Sequence, residues 1–213
     1  MYKDLDVSSE ELGCMTLDRG QVISWLQDNV SRDRLEHILG VEQMAQALAQ
    51  RHGTDPDQAA QAGLLHDLAK FFPPPKLLQI ARQHGLEIDS ICAHVPHLLH
   101  ADVSAIVART EFGIQDAQIL QAIANHTLGH PGMDQLSCII FVADALEPNR
   151  GDGKKLQKLR QLSEKNLYRA VAGVCDYMLK HLIKQHKIIH PRMILTRNWA
   201  LQIKGDRTES SIT

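Results

Sequence analysis

The sequence predicts an all-α protein, a helical bundle with a di-metal site between its helices. Aromatic residues make up only 4% of the 213 residues, and glycine and proline separate stretches rich in leucine, alanine and isoleucine. Histidine and aspartate recur inside these apolar stretches, where a polar or charged group is costly unless it has a partner or binds a metal. Together these observations predict helices packed around a buried site.

The composition of the chain argues against several classes of partner and location. The net charge of −2, counted with neutral histidines, gives no reason to expect a nucleic-acid or acidic-membrane partner. The four cysteines form no CxxC pair, and no stretch approaches the length of a membrane span. We therefore expect a cytoplasmic protein with reduced thiols, and a homodimer is left open. We expect an N-terminal extension over 1–17, the helical domain over 18–203 and a disordered tail over 204–213.

The first two helices are predicted over about 19–30 and 32–51. Asp18 precedes the first as a capping residue, and apolar residues then recur at helical spacing in both. His37 falls on the edge of the apolar face of the second helix. It is a candidate ligand, and the alternative is a core histidine bonded to a carbonyl.

Asp55-Pro56-Asp57 predicts the start of a third helix, with a capping aspartate and proline at the first helical position. This helix is expected to run through small residues to the doublet His66-Asp67 and on to Lys70. The Phe-Phe-Pro-Pro-Pro run at 71–75 should end it. Lys70 lies one turn beyond His66, so it is either a phosphate contact or a cation near a helix C-terminus.

The middle of the chain predicts three shorter helices, over about 75–84, 98–111 and 117–127. The second carries His100 and the third, capped by Asp116, carries His126. Residues 86–97 are predicted to be a loop that contains His94 and His97. The Gly- and Pro-rich loop 127–133 is expected to approach a ligand closely.

A nearly all-apolar helix is predicted over 134–146, interrupted by Asp144. A carboxylate there needs a strong partner, which is either a metal or an arginine. Arg150 follows just past this helix. The lysine-rich segment from Lys154 to Arg160 is expected to be a solvated face, Ser163 to start a long helix to about 186, and 190–199 to be a short last element.

The chain offers six candidate metal ligands, and all are imidazole or carboxylate groups. They are His37, His66, Asp67, His100, His126 and Asp144. A set without thiolate suits iron, manganese or another borderline ion, and six ligands fit two ions bridged by one carboxylate. Two such ions serve the hydrolysis of phosphoesters and phosphoanhydrides. Spacing alone leaves His94, His97 and His130 open as alternative ligands.

Six segments between about residues 34 and 199 carry a family pattern. They are Arg34-Leu35-Glu36-His37, Leu64-Leu65-His66-Asp67-Leu68-Ala69-Lys70, Leu98-Leu99-His100, Asn125-His126-Thr127 with Gly129 and Pro131-Gly132-Met133, Ile140-Phe141-Val142-Ala143-Asp144 with Glu147-Pro148 and Arg150, and Ile189-His190-Pro191 with Arg197-Asn198. With these segments the chain resembles the HD-domain superfamily of metal-dependent phosphohydrolases. Within it, the chain resembles the bacterial YqeK family of symmetrical bis(5′-nucleosyl)-tetraphosphatases.

The resemblance implies a di-iron site held by the six candidate ligands, with Asp67 as the bridge. It implies that Asp67, Lys70 and Arg150 carry catalysis, and that Lys70, Thr127, His130 and Arg150 contact a dinucleoside polyphosphate substrate. The expected reaction cuts diadenosine tetraphosphate into two ADP. The alternatives are another nucleotide substrate, or a nucleotide-binding regulator without turnover. The chain departs from the family at His130, commonly arginine, and at Ala101-Asp102, commonly Gly-Pro.

Overall fold

The computed structural model describes residues 17–203, which form α-helices joined by turns and two short 3₁₀ helices, without a strand in that range. The α-helices are Arg19–Asn29 (α1), Arg32–His52 (α2), Pro56–Leu65 (α3), Pro74–Gln83 (α4), Ser90–His94 (α5), His100–Phe112 (α6), Ala117–Asn125 (α7), Gln135–Leu146 (α8), Lys154–Lys165 (α9), Leu167–Lys184 (α10) and Pro191–Gln202 (α11). The predicted all-helical fold is confirmed. The predicted tail, and the predicted extension apart from Leu17, lie outside the described residues. None of the helices described is both long and apolar enough to cross a membrane.

Three aspartates start helices where the sequence places them. The side chains of Asp18, Asp55 and Asp116 each accept hydrogen bonds from two backbone N–H groups in the first turn that follows. These bonds satisfy donors that an isolated helix start leaves without a partner. The starts of α1, α3 and α7 are therefore fixed locally, by residues visible in the sequence.

Helix α8 lies at the centre of the bundle. Its residues from Leu136 to Ala143 are buried, and it packs against α2, α3, α7 and α10. The backbones of α2 and α3 come close together at Gly63, where a Cβ atom would lie 2.9 Å from the Cα of Glu42. The small residues predicted in α3 therefore allow close packing, which brings the end of α3 beside α2 and α8.

The third helix ends at Leu65, earlier than predicted, and residues 66–71 form turns. The N–H of Ala69 donates to Ser104 Oγ on α6 (3.0 Å), and the N–H of Lys70 donates to the Asp67 carbonyl (3.0 Å). These bonds replace the regular helical pattern. Ser104 is a tertiary partner, so local sequence does not show where this helix stops.

The predicted loop over 86–97 is wrong in part, because it contains α5 and the 3₁₀ helix Pro96–Leu99. Asp89 caps α5 by accepting from the N–H groups of Ile91 and Cys92, and its other oxygen accepts from His190 Nε2 (2.6 Å). Burial raises the pKa of the Cys92 thiol to about 11. Through these hydrogen bonds Asp89 joins α5, at Cys92, to the start of α11, at His190.

Two predictions about the C-terminal third are wrong. Ser163 lies inside α9, and α10 starts after Asn166, whose side chain accepts from the N–H of Arg169. Arg160 does not belong to a solvated face, since it donates to the carbonyls of Leu146, Glu147 and Gly151. Its guanidinium caps the C-terminal end of α8, whose last carbonyls would otherwise lack donors.

The Gly- and Pro-rich loop 127–133 packs closely against α11. Gly129 has φ +63°, and a Cβ atom there would overlap the Thr196 side chain. Thr196 Oγ1 donates to the Leu128 carbonyl (3.0 Å). The close approach at Gly129 is therefore to α11 of the same chain.

Candidate metal centre

The six predicted ligands meet at one place, although five segments supply them. His37 comes from α2, His66 and Asp67 from the turn after α3, His100 from the start of α6, His126 from the end of α7, and Asp144 from α8. Four of these segments place their residue at a helix end or turn next to the buried centre of the bundle. The four histidines and Asp67 are all buried, with at most 6% of any one exposed.

The two carboxylate oxygens of Asp67 face different donors. Oδ1 lies 3.4 Å from the Nε2 atoms of His100 and His126. Oδ2 lies 3.6 Å from His66 Nε2 and 3.9 Å from His37 Nε2. Accordingly, His37, His66 and Asp67 form one compact group of donor atoms, and Asp67, His100 and His126 form a second. The shared carboxylate is the arrangement expected of a bridge between two ions.

Asp144 lies beside the first group. Its Oδ1 is 3.0 Å from His37 Nε2 and 3.7 Å from His66 Nε2. The same oxygen is 2.6 Å from Arg150 Nη2. Asp144 is therefore adjacent to both kinds of partner that the sequence predicts for it, a cluster of candidate metal ligands and an arginine.

Three histidines are oriented by the same local device. Each donates its Nδ1 proton to the carbonyl of the residue three positions earlier in the chain. The bonds are His66 to Gly63 (2.7 Å), His100 to His97 (2.5 Å) and His126 to Ile123 (2.7 Å). The device fixes the tautomer and leaves each Nε2 lone pair directed at the centre, as metal-binding histidines require.

His37 is oriented instead by Glu147, a residue whose role the sequence pattern alone does not indicate. Glu147 is buried, and its Oε1 lies 3.0 Å from His37 Nδ1. Its Oε2 accepts from the N–H of Asn149 (2.7 Å) and packs against Gly40, where any side chain would overlap it. A carboxylate behind a ligating histidine raises its basicity and holds its ring. The signal was available, because a buried acid after an apolar helix needs a partner as Asp144 does.

Glu147→Gln is expected to weaken metal binding about ten-fold, since the amide orients His37 less firmly and carries no charge. Competition against a chelating dye would measure the affinity. Glu164→Gln, a matched change on the exposed face of α9, should leave it unaltered. Equal affinities for the Glu147 variant and the wild type would remove the assigned role.

Two buried donor atoms of the centre make no hydrogen bond to any residue the structure describes. They are His66 Nε2 and Asp67 Oδ1. Leaving such atoms buried without a partner costs free energy, and a bound cation would satisfy both. Oxygen and imidazole donors without thiolate are also the ligands of borderline divalent ions. The residues present therefore fit metal ions.

Four donors of the centre, His66, His100, Asp67 and Asp144, are held in their deprotonated forms. Burial lowers the pKa of His66 to about 3 and that of His100 to about 4. Burial opposes ionisation of Asp67 and Asp144, but adjacent histidines outweigh it and hold the pKa of both carboxyls well below the usual range. Arg150 adds to this effect at Asp144. The lone pairs are therefore available for metal at neutral pH.

The lowered histidine pKa values predict how the stability of metal-free protein depends on pH. Below pH 6.5 the unfolded chain binds protons at His66 and His100, and the folded chain does not until about pH 3 to 4. The free energy of unfolding should therefore fall as the pH is lowered from 6.5 to about 4, by about 1.4 kcal/mol per pH unit for each histidine. Urea titrations of chelator-treated protein from pH 7 to 4.5 would measure it. A flat profile would contradict buried, neutral imidazoles.

Cationic groups flank both donor groups. Arg34 Nη1 lies 2.9 Å from Asp67 Oδ2, and Arg150 contacts Asp144 as described. On the other side, Lys70 Nζ lies 2.9 Å from His100 Nε2. Thr127 Oγ1 lies 3.0 Å from the Nε2 atoms of both His100 and His126. Arg34 is the second residue that sequence reasoning left without a role.

The three alternative ligands, His94, His97 and His130, belong to neither of the two donor groups. His94 is exposed at the end of α5. His97 stacks on His100, with ring centres 5.0 Å apart, and supports it through its carbonyl. His130 is exposed, and its Nδ1 donates to the Pro131 carbonyl (2.7 Å). The contact of His130 with substrate stays a prediction.

A helical bundle with histidines and a His-Asp doublet around one shared carboxylate defines the HD-domain class, and residues 34–149 match the HD domain family. The chain is 34% identical to a Bacillus subtilis protein named bis(5′-nucleosyl)-tetraphosphatase, symmetrical, over 86% of this chain and 97% of the relative. A protein of the same name from Halalkalibacterium halodurans is 33% identical over 87% and 98% of the two chains.

A solved structure shares the fold. It is a predicted HD superfamily hydrolase involved in NAD metabolism from Clostridium acetobutylicum, with a TM-score of 0.82 and 32% identity over 85% of this chain and 96% of that one. The chain belongs to the HD-domain hydrolase family and, within it, to the family of the symmetrical bis(5′-nucleosyl)-tetraphosphatases. The resemblance seen in the sequence is confirmed.

Proposed function

We propose that this protein hydrolyses diadenosine tetraphosphate and related dinucleoside tetraphosphates to two nucleoside diphosphates. The observation that carries the proposal is the two-sided centre around Asp67, with a cationic side chain on each side. Relatives of nearly equal length bear the name of this activity. The match to the HD domain family over residues 34–149 spans all six candidate ligands.

We propose that the centre holds two metal ions, with iron as the first candidate and manganese the next. His37, His66 and Asp144 would bind one, His100 and His126 the other, and Asp67 both. Bound ions of this kind activate a water molecule and offset the charge of phosphate oxygens. Hydrogen bonds from Nδ1 orient all four imidazole rings, which turns their Nε2 atoms toward Asp67 or Asp144 and would reduce the reorganisation that binding requires.

The cationic side chains then bind the polyphosphate. A polar cavity of about 420 Å³ beside the centre is lined by Arg34, His37 and Arg150, and by three carboxyl residues, Asp33, Glu36 and Glu147. The two guanidinium groups of this cavity would bind phosphate oxygens through paired, charge-assisted hydrogen bonds. Lys70 and Thr127 supply an ammonium and a hydroxyl on the opposite side. In this arrangement Arg150 would stabilise the negative charge that develops on the departing nucleoside diphosphate.

We place the reaction in the cytoplasm, because the described cysteines Cys92, Cys138 and Cys175 are free and buried thiols.

The product profile tests the proposed function. With metal-loaded protein and diadenosine tetraphosphate, ADP should be the sole nucleotide product by chromatography. Metal analysis of the same sample should give close to two ions per chain. AMP plus ATP would mean asymmetric cleavage and would refute the proposal. Absence of turnover by fully loaded protein would favour a nucleotide-binding regulator, and preferred turnover of another nucleotide would favour a different substrate.

A further inference from the structure

A second, apolar cavity opens beside the metal centre. It has a volume of about 290 Å³ and lies between the end of α8 and helices α9 and α10. Asp144 and Arg150 form the wall nearest the centre, and the remaining wall is mainly Leu156, Tyr177, Met178 and Leu182. Arg150 also lines the polar cavity that contains Arg34. Arg150 therefore stands between the apolar cavity and the polar cavity that contains a second guanidinium group.

We propose that the apolar cavity binds one nucleobase of the dinucleoside polyphosphate, an inference that rests on the proposed function. A nucleoside phosphate is an aromatic ring joined through ribose to a charged chain. The two cavities are arranged in the matching order, with the apolar walls first, then Arg150, then the polar cavity proposed to bind phosphate. A ring in the first cavity places its phosphates at Arg150.

The walls suit a flat aromatic ring. Tyr177 lies on α10, and Lys155 Nζ on α9 lies 4.8 Å from the centre of its ring, which ties the ring to the neighbouring helix. Bases stack on aromatic side chains with little preference for sequence, since every base has an apolar face. The volume is at the lower limit of small-molecule sites, which suits one base rather than a second nucleotide.

The same walls predict weak discrimination between bases. Asp144 and Arg150 are paired with each other on the side of the metal centre, so the other polar groups available to a base are few, chiefly Tyr177 and the exposed His181. Strong rejection of a wrong base requires buried groups that the wrong base leaves unpaired. The cavity should therefore accept adenine and guanine with affinities within about ten-fold of each other.

Calorimetric binding of two probes to the metal-loaded protein tests the inference. ADP carries the base, and methylene diphosphonate carries two phosphorus centres without one. Leu182→Trp, which fills the cavity, should weaken ADP binding about ten-fold or more and leave diphosphonate binding within about two-fold. Tyr177→Ala, which removes the stacking wall, should act in the same direction. Leu195→Trp is the matched control, because Leu195 is 56% exposed on α11 and outside this cavity.

The outcomes separate this inference from the proposed function. If both cavity variants keep full ADP affinity, or lose ADP and diphosphonate equally, the base does not bind here, even if the protein cleaves diadenosine tetraphosphate. If the wild type cleaves no dinucleoside tetraphosphate, the proposed function fails, while selective loss of ADP binding would still support a nucleobase cavity.

Discussion

Asp67→Asn should lose both metal ions and hydrolytic activity together while the helices remain folded. Each oxygen of Asp67 faces a different donor group, so one substitution removes an anionic ligand from both. Asparagine has nearly the same shape and leaves the packing intact. We expect metal content below about a tenth of wild type and a fall in kcat/KM of about 10³-fold or more.

Elemental analysis, circular dichroism and single-turnover assays on one preparation would measure these quantities. Asp67→Ala should behave alike. His94→Ala is the control, because His94 is exposed and away from the donor groups, and it should be nearly silent. A variant that keeps one ion at full occupancy would show that Asp67 serves only one side. Metal loss in His94→Ala but not in His100→Ala would overturn the choice of His100.

Arg150→Ala should keep the metal ions yet lose about one to two orders of magnitude in kcat/KM. The loss corresponds to a charge-assisted phosphate contact of about 1.5–3 kcal/mol that strengthens in the transition state. Arg150 also pairs with Asp144 through Nη2, and its Nε donates to the Asp144 carbonyl (2.8 Å). If Arg150 acted only by supporting Asp144, its removal would lower metal content as well as activity.

Comparing metal content with kcat/KM separates the two roles of Arg150. Loss of both in parallel would assign Arg150 to the support of Asp144 rather than to the substrate. Arg150→Lys should recover part of the rate, since it restores charge but not the paired donors of a guanidinium. Arg82→Ala, on the exposed end of α4, is the matched control and should leave kcat/KM unchanged.

Local chemistry explains why much of the fold was predictable. Capping by Asp18, Asp55 and Asp116 uses neighbouring N–H groups, so the pattern is complete within a few residues. The candidate ligands were recognisable because imidazole and carboxylate groups are costly within apolar helices. The structure brings the six together. Their roles as ligands are still proposals.

The remainder depended on contacts between distant residues. The end of α3 depends on Ser104, which is 35 residues from Ala69 in sequence. Arg34 reads as an ordinary charged residue in the first turn of a helix until Asp67 is placed beside it. The mistaken helix start at Ser163 has another cause, since serine and asparagine cap helices about equally well and only the backbone at Asn166, with φ −153°, decides between them.

Helix α11 has a consequence for the order of events during synthesis. It supplies none of the six candidate ligands, yet Thr196 holds the loop that follows His126 through Leu128 and Gly129. All six candidate ligands precede Thr196 in the chain, so a nascent chain has synthesised every donor while the Thr127 loop still lacks its contact with Thr196. Metal loading that requires the finished loop therefore waits until α11 has been synthesised and has packed on the loop, and a stop codon ahead of α11 would yield a protein with all its donors and an unsupported Thr127.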